Sequence, residues 1–178
     1  MVKAWKVLGL ASLVGGGCIG PHHDQPMARA QFRVSSRQVE LPAPASTPRA
    51  PLASSSTGAL QFAVSAVRYL YVGGELEAGV FPRERSSYAG AYGVLGADAG
   101  ASHAWVSVEL VAGRQWLQHA PDTLAVQRRL LEPRLRAQFV LGRQVTLGAM
   151  LGANAMPDER GWTAGFFIGF YSDPVDGS

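Results

Sequence analysis

Trp162-Thr163-Ala164-Gly165-Phe166-Phe167-Ile168-Gly169-Phe170-Tyr171 is the stretch on which the fold turns. Side chains of a β-strand point alternately to opposite faces. Here Trp162, Ala164, Phe166, Ile168 and Phe170 share one face, and Thr163, Gly165, Phe167, Gly169 and Tyr171 share the other. The same period runs through the two segments before it. Val145, Leu147, Ala149, Leu151 and Ala153 alternate with Gln144, Thr146, Gly148, Met150, Gly152 and Asn154. Leu131, Leu135, Ala137, Phe139 and Leu141 alternate with Arg134, Arg136, Gln138 and Gly142. Three consecutive strands therefore carry one apolar face and one face that is glycine-rich and partly charged.

Working outward, the pattern predicts further strands over Leu60–Val72, Glu75–Pro82, Tyr88–Asp98 and Ser102–Trp116. Gly73-Gly74 reads as a tight turn, where both residues can take positive φ. Arg83–Ser87 reads as a polar loop, Ala99-Gly100 as a short turn and Met156–Gly161 as a loop. Residues 117–129 break the pattern around Pro121-Asp122, and Thr123–Leu131 suits either a helical turn or the root of the next strand. Ala30–Leu41 is a weak strand, because Phe32, Val34, Val39 and Leu41 do not share a face. Residues 42–58, with Pro42, Pro44, Pro48, Pro51 and Ser54-Ser55-Ser56, read as linker or loop. Helical periodicity is absent at useful length.

The 178 residues leave room for one ordinary domain plus extra segments. Only 16% of them are charged, well below the roughly 25% of an average soluble domain. The 21 glycines disfavour helices and suit tightly packed strands. No apolar run approaches the roughly 20 residues of a transmembrane helix.

Residues 1–18 read as an export signal. Lys3 and Lys6 form a basic start, Val7–Val14 a short apolar core, and Gly15-Gly16-Gly17-Cys18 a lipobox-like site, with Gly15 where Leu or Val is usual. Cys18 is the expected lipidation site. Removing residues 1–17 takes Lys3 and Lys6 and no acid from 16 basic and 13 acidic residues, leaving 14 against 13. The near-neutral remainder lacks the basic patch that nucleic acid requires. The single cysteine excludes an internal disulfide. His22-His23-Asp24 beside Cys18 reads as a solvated tether, because an acylated cysteine is a thioether and a poor metal ligand. Neither metal nor cofactor is expected.

Alternation alone fits two placements of the apolar face. It can form the core of a soluble β-sandwich or lipocalin-like barrel, or it can face lipid around a membrane barrel. With the weak strand counted there are eight strands, and their connections alternate long or medium with short. That is the habit of outer-membrane barrels. Strand lengths near the roughly 9–11 residues of a tilted bilayer crossing agree, as does the glycine-rich face, suited to a narrow interior. By parity, Arg68, Glu75, Glu77, Glu109, Arg134 and Arg136 form a charge-balanced set on the non-apolar face, able to pair inside a barrel. Tyr69, Tyr71, Tyr88, Trp116, Trp162 and Phe170, near strand ends, suit either interfacial girdles or a core.

On these features residues 59–172 resemble the small eight-stranded outer-membrane β-barrels of Gram-negative bacteria, and residues 162–171 resemble that family's aromatic C-terminal assembly signal. The expectation is an all-β, antiparallel up-and-down barrel. Its division is a signal at 1–17, then a tether with the weak strand and Pro/Ser-rich segment at 18–58. The barrel follows at 59–172 and a tail at 173–178. The resemblance implies an outer-membrane location and a structural or adhesive role, with outer-membrane lipid and an envelope or surface protein as partners. An interior filled by Arg and Glu leaves no open pore. A periplasmic lipid-anchored β-sandwich is the alternative. A lipid-modifying enzyme is the third reading: His103, Ser107 and Glu109 share a face, but His103 and Ser107 are too far apart along one strand, roughly 14 Å, for a nucleophile–base hydrogen bond.

Overall fold

The computed structural model describes residues 28–40, 52–67, 69–83, 85–101, 104–119, 126–141, 144–156 and 160–172. They form eight antiparallel strands: β1 (Ala28–Glu40), β2 (Leu52–Val67), β3 (Leu70–Phe81), β4 (Ser86–Ala101), β5 (Ala104–His119), β6 (Val126–Val140), β7 (Val145–Ala153) and β8 (Gly161–Tyr171). Each pairs with its sequence neighbours, and β1 pairs with β8 to close a barrel. A closed barrel has no free sheet edge, so every strand satisfies its backbone groups on both sides.

The apolar face is outside. Leu76, Leu141 and Phe166 are 62%, 64% and 73% exposed, and they belong to a belt of outward Leu, Val, Phe and Ala that encircles the wall. The opposite face is buried and mostly polar. This arrangement excludes the β-sandwich, and it inverts the lipocalin plan, in which the interior is apolar and the exterior wet.

Two small apolar groups close the interior at its ends. Val39, Ala53, Phe81, Tyr88 and Leu117 pack together where the long connections leave the strands, with the Phe81 and Tyr88 rings 5.5 Å apart. Trp105 and Tyr171 pack edge to face at 5.8 Å at the end carrying the short connections.

Several local expectations give way. The strand predicted as weak is a full member of the wall: β1 was judged by its apolar residues, but its regular face is the polar one, Arg29, Gln31, Arg33, Ser35 and Arg37, all buried. The predicted linker over 42–58 is too long, because residues 52–58 belong to β2, and the barrel starts with β1, ahead of the boundary expected at residue 59; residues 42–51 lie outside the described residues. A barrel wall needs ladder partners more than apolar bulk, and the serines find them. Ser55 Oγ donates to the Arg37 carbonyl and Thr57 Oγ1 to that of Ser35, each at 3.1 Å. Residues 117–119, expected in a loop, complete β5. The turn expected at Ala99-Gly100 lies beyond it, since Ala101 pairs with Ala104.

Gly73-Gly74 is not a turn either. Both glycines lie within β3, opposite Ala63 and Phe62 of β2, and the hairpin closes where Val67 pairs with Leu70. A Cβ on Gly73 would stand 2.1 Å from the Phe62 carbonyl oxygen. The glycine is needed for close approach of two backbones where the wall bends, not for reversal.

Inward glycines also make space for rings. A Cβ at Gly96 would lie 2.1 Å from Tyr71 Cζ, and one at Gly90 would lie 2.0 Å from the Tyr92 hydroxyl. Gly96→Val is expected to displace Tyr71 and cost about 1–3 kcal/mol by overpacking, read as a lower urea midpoint for unfolding of the detergent-solubilised barrel.

Candidate functional site: the charged interior

Strand parity delivers arginine from β1 and β6 and carboxylates from β3, β4, β5 and β6 into one narrow space. Among the described residues five arginines (Arg29, Arg33, Arg37, Arg134 and Arg136) and five acids (Glu75, Glu77, Asp98, Glu109 and Glu132) meet there. A sixth arginine, the partly buried Arg128, lies on the same face of β6 nearer the long-connection end.

Six of them close a ring. Arg134 grips Glu75 with both terminal nitrogens, at 2.7 and 2.9 Å. Glu75 is held from the other side by Arg33 at 3.0 and 3.2 Å. Arg33 continues to Glu77, which Arg37 clasps at 3.0 and 3.1 Å. Arg37 reaches Glu132 at 2.6 Å, and Arg134 Nε returns to Glu132 at 2.5 Å. Each cation thus sits between two anions and each anion between two cations. Tyr88 donates to Glu77 at 2.5 Å, and Thr163 donates to Glu132 at 3.2 Å. Removing six charges from water is costly, and only paired, fully hydrogen-bonded geometry offsets that cost. Two-pronged arginine–carboxylate contacts are the strongest available form of it.

A second tier lies toward the short-connection end. Arg136 contacts Glu109 and Gln31, and donates to Gln61 at 2.9 Å. Its guanidinium stacks 3.9 Å from the Phe167 ring centre. Glu109 also accepts from Tyr71 at 2.7 Å and Gln61 at 3.1 Å. Arg29 pairs with Asp98 at 3.1 Å and lies over the Tyr71 ring. Gln31, Arg33, Glu109 and Arg136 each retain one polar atom without a hydrogen bond among the described residues, and all four line one cavity of about 10 Å³. That is room for about one water molecule. Among the described residues the interior is packed around that cavity.

No protein-family model matches the sequence, nor does any curated protein. Solved structures do match in shape. Ail, the attachment invasion locus protein of Yersinia pestis, has a TM-score of 0.52 at 8% identity, over 83% of this chain and 99% of that one. Ail in complex with the heparin analogue sucrose octasulfate gives 0.50 at 10% identity over the same shares, 83% and 99%. Neisserial surface protein A gives 0.48 at 8% identity, over 82% and 96%. The likeness is one of fold.

Of the charged residues expected inside, the structure brings Glu75, Glu77 and Arg134 into the ring and pairs Glu109 with Arg136 below it. Arg68, Cys18 and His103 lie outside the described residues. Sequence reasoning missed Arg29, Arg33, Arg37, Asp98 and Glu132. The signal was present: Arg29, Arg33 and Arg37 recur every fourth residue, which keeps them on one strand face, and Glu132 has the parity of Arg134. Of the aromatics, Tyr69, Trp116, Trp162 and Phe170 face outward, whereas Tyr71 and Tyr88 serve the interior. Ser107, weighed as a nucleophile, is fully buried; it donates to Asp98 at 2.5 Å and accepts from Gln138 at 3.3 Å. A hydroxyl so enclosed does not meet a lipid substrate.

Proposed function

We propose that this protein is an exported outer-membrane barrel with a structural or adhesive role in the envelope and no conducting pore. One observation carries the reading: a closed wall whose outward face is an apolar belt surrounds a packed interior of paired charges. Exposed apolar surface on that scale is unfavourable in water and matches the hydrocarbon of a bilayer. The wall is closed and the interior packed, so contacts with other molecules fall to the outer face and the long connections. Those connections all leave one end, between β1 and β2, β3 and β4, β5 and β6, and β7 and β8. Acylation of Cys18 after removal of residues 1–17 belongs to the same proposal, as do outer-membrane lipid and an envelope or surface protein as partners.

The test joins three measurements on the full chain expressed in a Gram-negative host. The protein is expected in the outer-membrane fraction, to migrate faster on a detergent gel unheated than boiled, and to leave planar bilayers non-conducting. The intact mass is expected to include a diacylglyceryl group on Cys18. A soluble fraction without a heat-dependent shift would overturn the barrel-in-membrane reading, and stepwise single-channel currents would overturn the closed interior.

A further inference from the structure

On β5 and β6 the outward side chains form successive cross-strand pairs. Rising from the short-connection end they read Ala104–Phe139, Val106–Ala137, Val108–Leu135, Leu110–Pro133 and Ala112–Leu131. The next pair is Arg114–Arg129, followed by Trp116–Gln127. Two arginines therefore stand directly opposite each other, both exposed, on the first rung above the apolar belt.

Directly opposed residues hold their Cβ atoms roughly 4.5–5.5 Å apart, and like charges there are destabilising. Neither arginine side chain has a hydrogen bond or ion pair among the described residues. Among those residues no carboxylate neighbours the pair: Glu75, Glu77, Glu109 and Glu132 are buried inside, and the Asp98 side chain is 11% exposed and paired with Arg29. Next to Arg114 on β4 stands Ala91. The wall thus presents two adjacent guanidinium forks, directed sideways at the height where belt gives way to headgroups, with no anion beside them among the described residues.

Two rungs below, the wall is hollowed. A shallow apolar groove of about 570 Å³ is lined by Val108, Pro133, Leu135, Leu151 and Ala153. Another of about 630 Å³ shares Leu135 and Leu151 and continues over Ala149 and Ala164. Pro133 is four residues along β6 from Arg129, roughly 13 Å. Small side chains between larger ones leave channels suited to acyl chains, beneath a doubly cationic rung suited to phosphate.

We propose that Arg114 and Arg129 form a docking site for a lipid bearing a phosphate monoester, its phosphate bridging the two guanidinium groups and its acyl chains lying in the grooves below. The inference rests on the membrane reading above. Phosphate oxygens match paired guanidinium forks in charge and geometry. The lateral direction of the side chains and the apolar grooves favour a lipid over a free anion. A second copy of this chain fits worse, since two-fold contact of the rung with itself would gather four arginines.

The test uses the full chain folded in detergent micelles, with bound lipid read by native mass spectrometry. The probes are lipid A carrying phosphate monoesters, the same lipid with its phosphates removed, and inorganic phosphate as competitor. Wild type is expected to retain the phosphorylated lipid, and Arg114→Ser/Arg129→Ser to bind it at least about ten-fold more weakly, having lost several charge-assisted hydrogen bonds. Arg83→Ser, an exposed arginine after β3, is expected to bind as wild type. The stripped lipid should bind wild type no better than the phosphorylated lipid binds the double variant. Equal binding by wild type and double variant overturns the proposal, as does equal binding of the two lipids. Displacement by millimolar inorganic phosphate overturns the lipid as occupant in favour of a soluble anion.

The heat-dependent gel shift, measured on each variant, separates lost binding from lost folding. Should the double variant lose the shift, the single substitutions Arg114→Ser and Arg129→Ser carry the comparison, each expected to weaken binding. A wild-type chain with no shift and a soluble location overturns the membrane reading and this inference together. A shifted, membrane-located wild type that ignores lipid phosphate overturns this inference alone.

Discussion

Arg134→Met is expected to cost about 3–5 kcal/mol of barrel stability, the range found when one partner of a buried ion pair is removed. Arg134 is fully enclosed and joins Glu75 to Glu132. Its loss opens the ring at the point where two carboxylates depend on one cation. Glu75 keeps Arg33 and Glu132 keeps Arg37, but the interior then carries one uncompensated negative charge in a space without room for bulk water. Methionine nearly matches the arginine stem in volume, so the effect reports charge and hydrogen bonding more than a cavity. The measurement is a urea titration of folding into lipid vesicles, followed by the heat-dependent gel shift. Arg134→Met/Glu75→Gln removes the unpaired charge and is expected to recover part of the loss, with a coupling of about 0.5–3 kcal/mol. Arg134→Lys keeps the charge but not the fork and should fall between wild type and methionine. A cost for Arg134→Met below about 1 kcal/mol, the value of a solvated surface pair, would mean that the interior is wet and the ring is not a structural unit.

Phe166→Arg is the second large effect. Phe166 is the most exposed of the large apolar residues on the wall, near the middle of β8 and beside Val34 and Ala149 of the neighbouring strands. An arginine facing lipid near the bilayer midplane costs about 2–4 kcal/mol. Were this face in water, the same substitution would stay within about 0.5 kcal/mol. The size of the effect therefore depends on the solvent of the outer face and on little else. The vesicle titration used for Arg134 serves here too, with Ser54→Arg as the comparison. Ser54 is outward on β2 near the long-connection end, paired with Gln38, and its substitution should be tolerated because the cost falls toward zero at the interface. Equal tolerance at Phe166 and Ser54 would sink the lipid-facing assignment.

The charged interior also bears on register. Slipping any strand by one residue exchanges its two faces. For β6 that would turn Glu132, Arg134 and Arg136 toward the outside and Pro133, Leu135 and Ala137 inward. The penalty of a charge in hydrocarbon on one side, and of a broken ring on the other, opposes such slips more strongly than interchangeable apolar contacts would. On this view the ring contributes more to the uniqueness of the barrel than to its total stability.

Much of this was legible from parity. Glu75, Glu77, Glu109, Arg134 and Arg136 could be assigned to one face without coordinates, because each stands among clearly alternating neighbours. β1 resisted because its apolar residues are few and Val39 falls on the inner face, so a search for a greasy stripe finds none. Its regular feature is the spacing of Arg29, Arg33 and Arg37, which becomes meaningful once a polar face is allowed to be the buried one. Gly73-Gly74 misled for a related reason. A glycine pair between two strand patterns is a local turn signal, whereas closeness of the β2 and β3 backbones, which demands Gly73, is a property of the curved wall. Ser54-Ser55-Ser56 reads as loop by composition, whereas a barrel strand asks only for a hydrogen-bonded partner on each side.

The sequence by itself determined which residues share a face, since alternation is a property of a single strand. Once the weak first strand is counted, it also determined eight strands and the alternation of connection lengths, but whether that strand pairs was left to the tertiary structure. The side on which the apolar face lies was decided only by closure, because a flat sheet and a barrel have the same parity and differ only in curvature. The identity of the ion pairs was likewise tertiary. Arg33 and Arg37 on β1 meet Glu75 and Glu77 on β3, while Arg37 meets Glu132 on β6. These strands are not ladder neighbours, and their side chains touch only because the wall is curved tightly enough for opposite sides to meet across the axis.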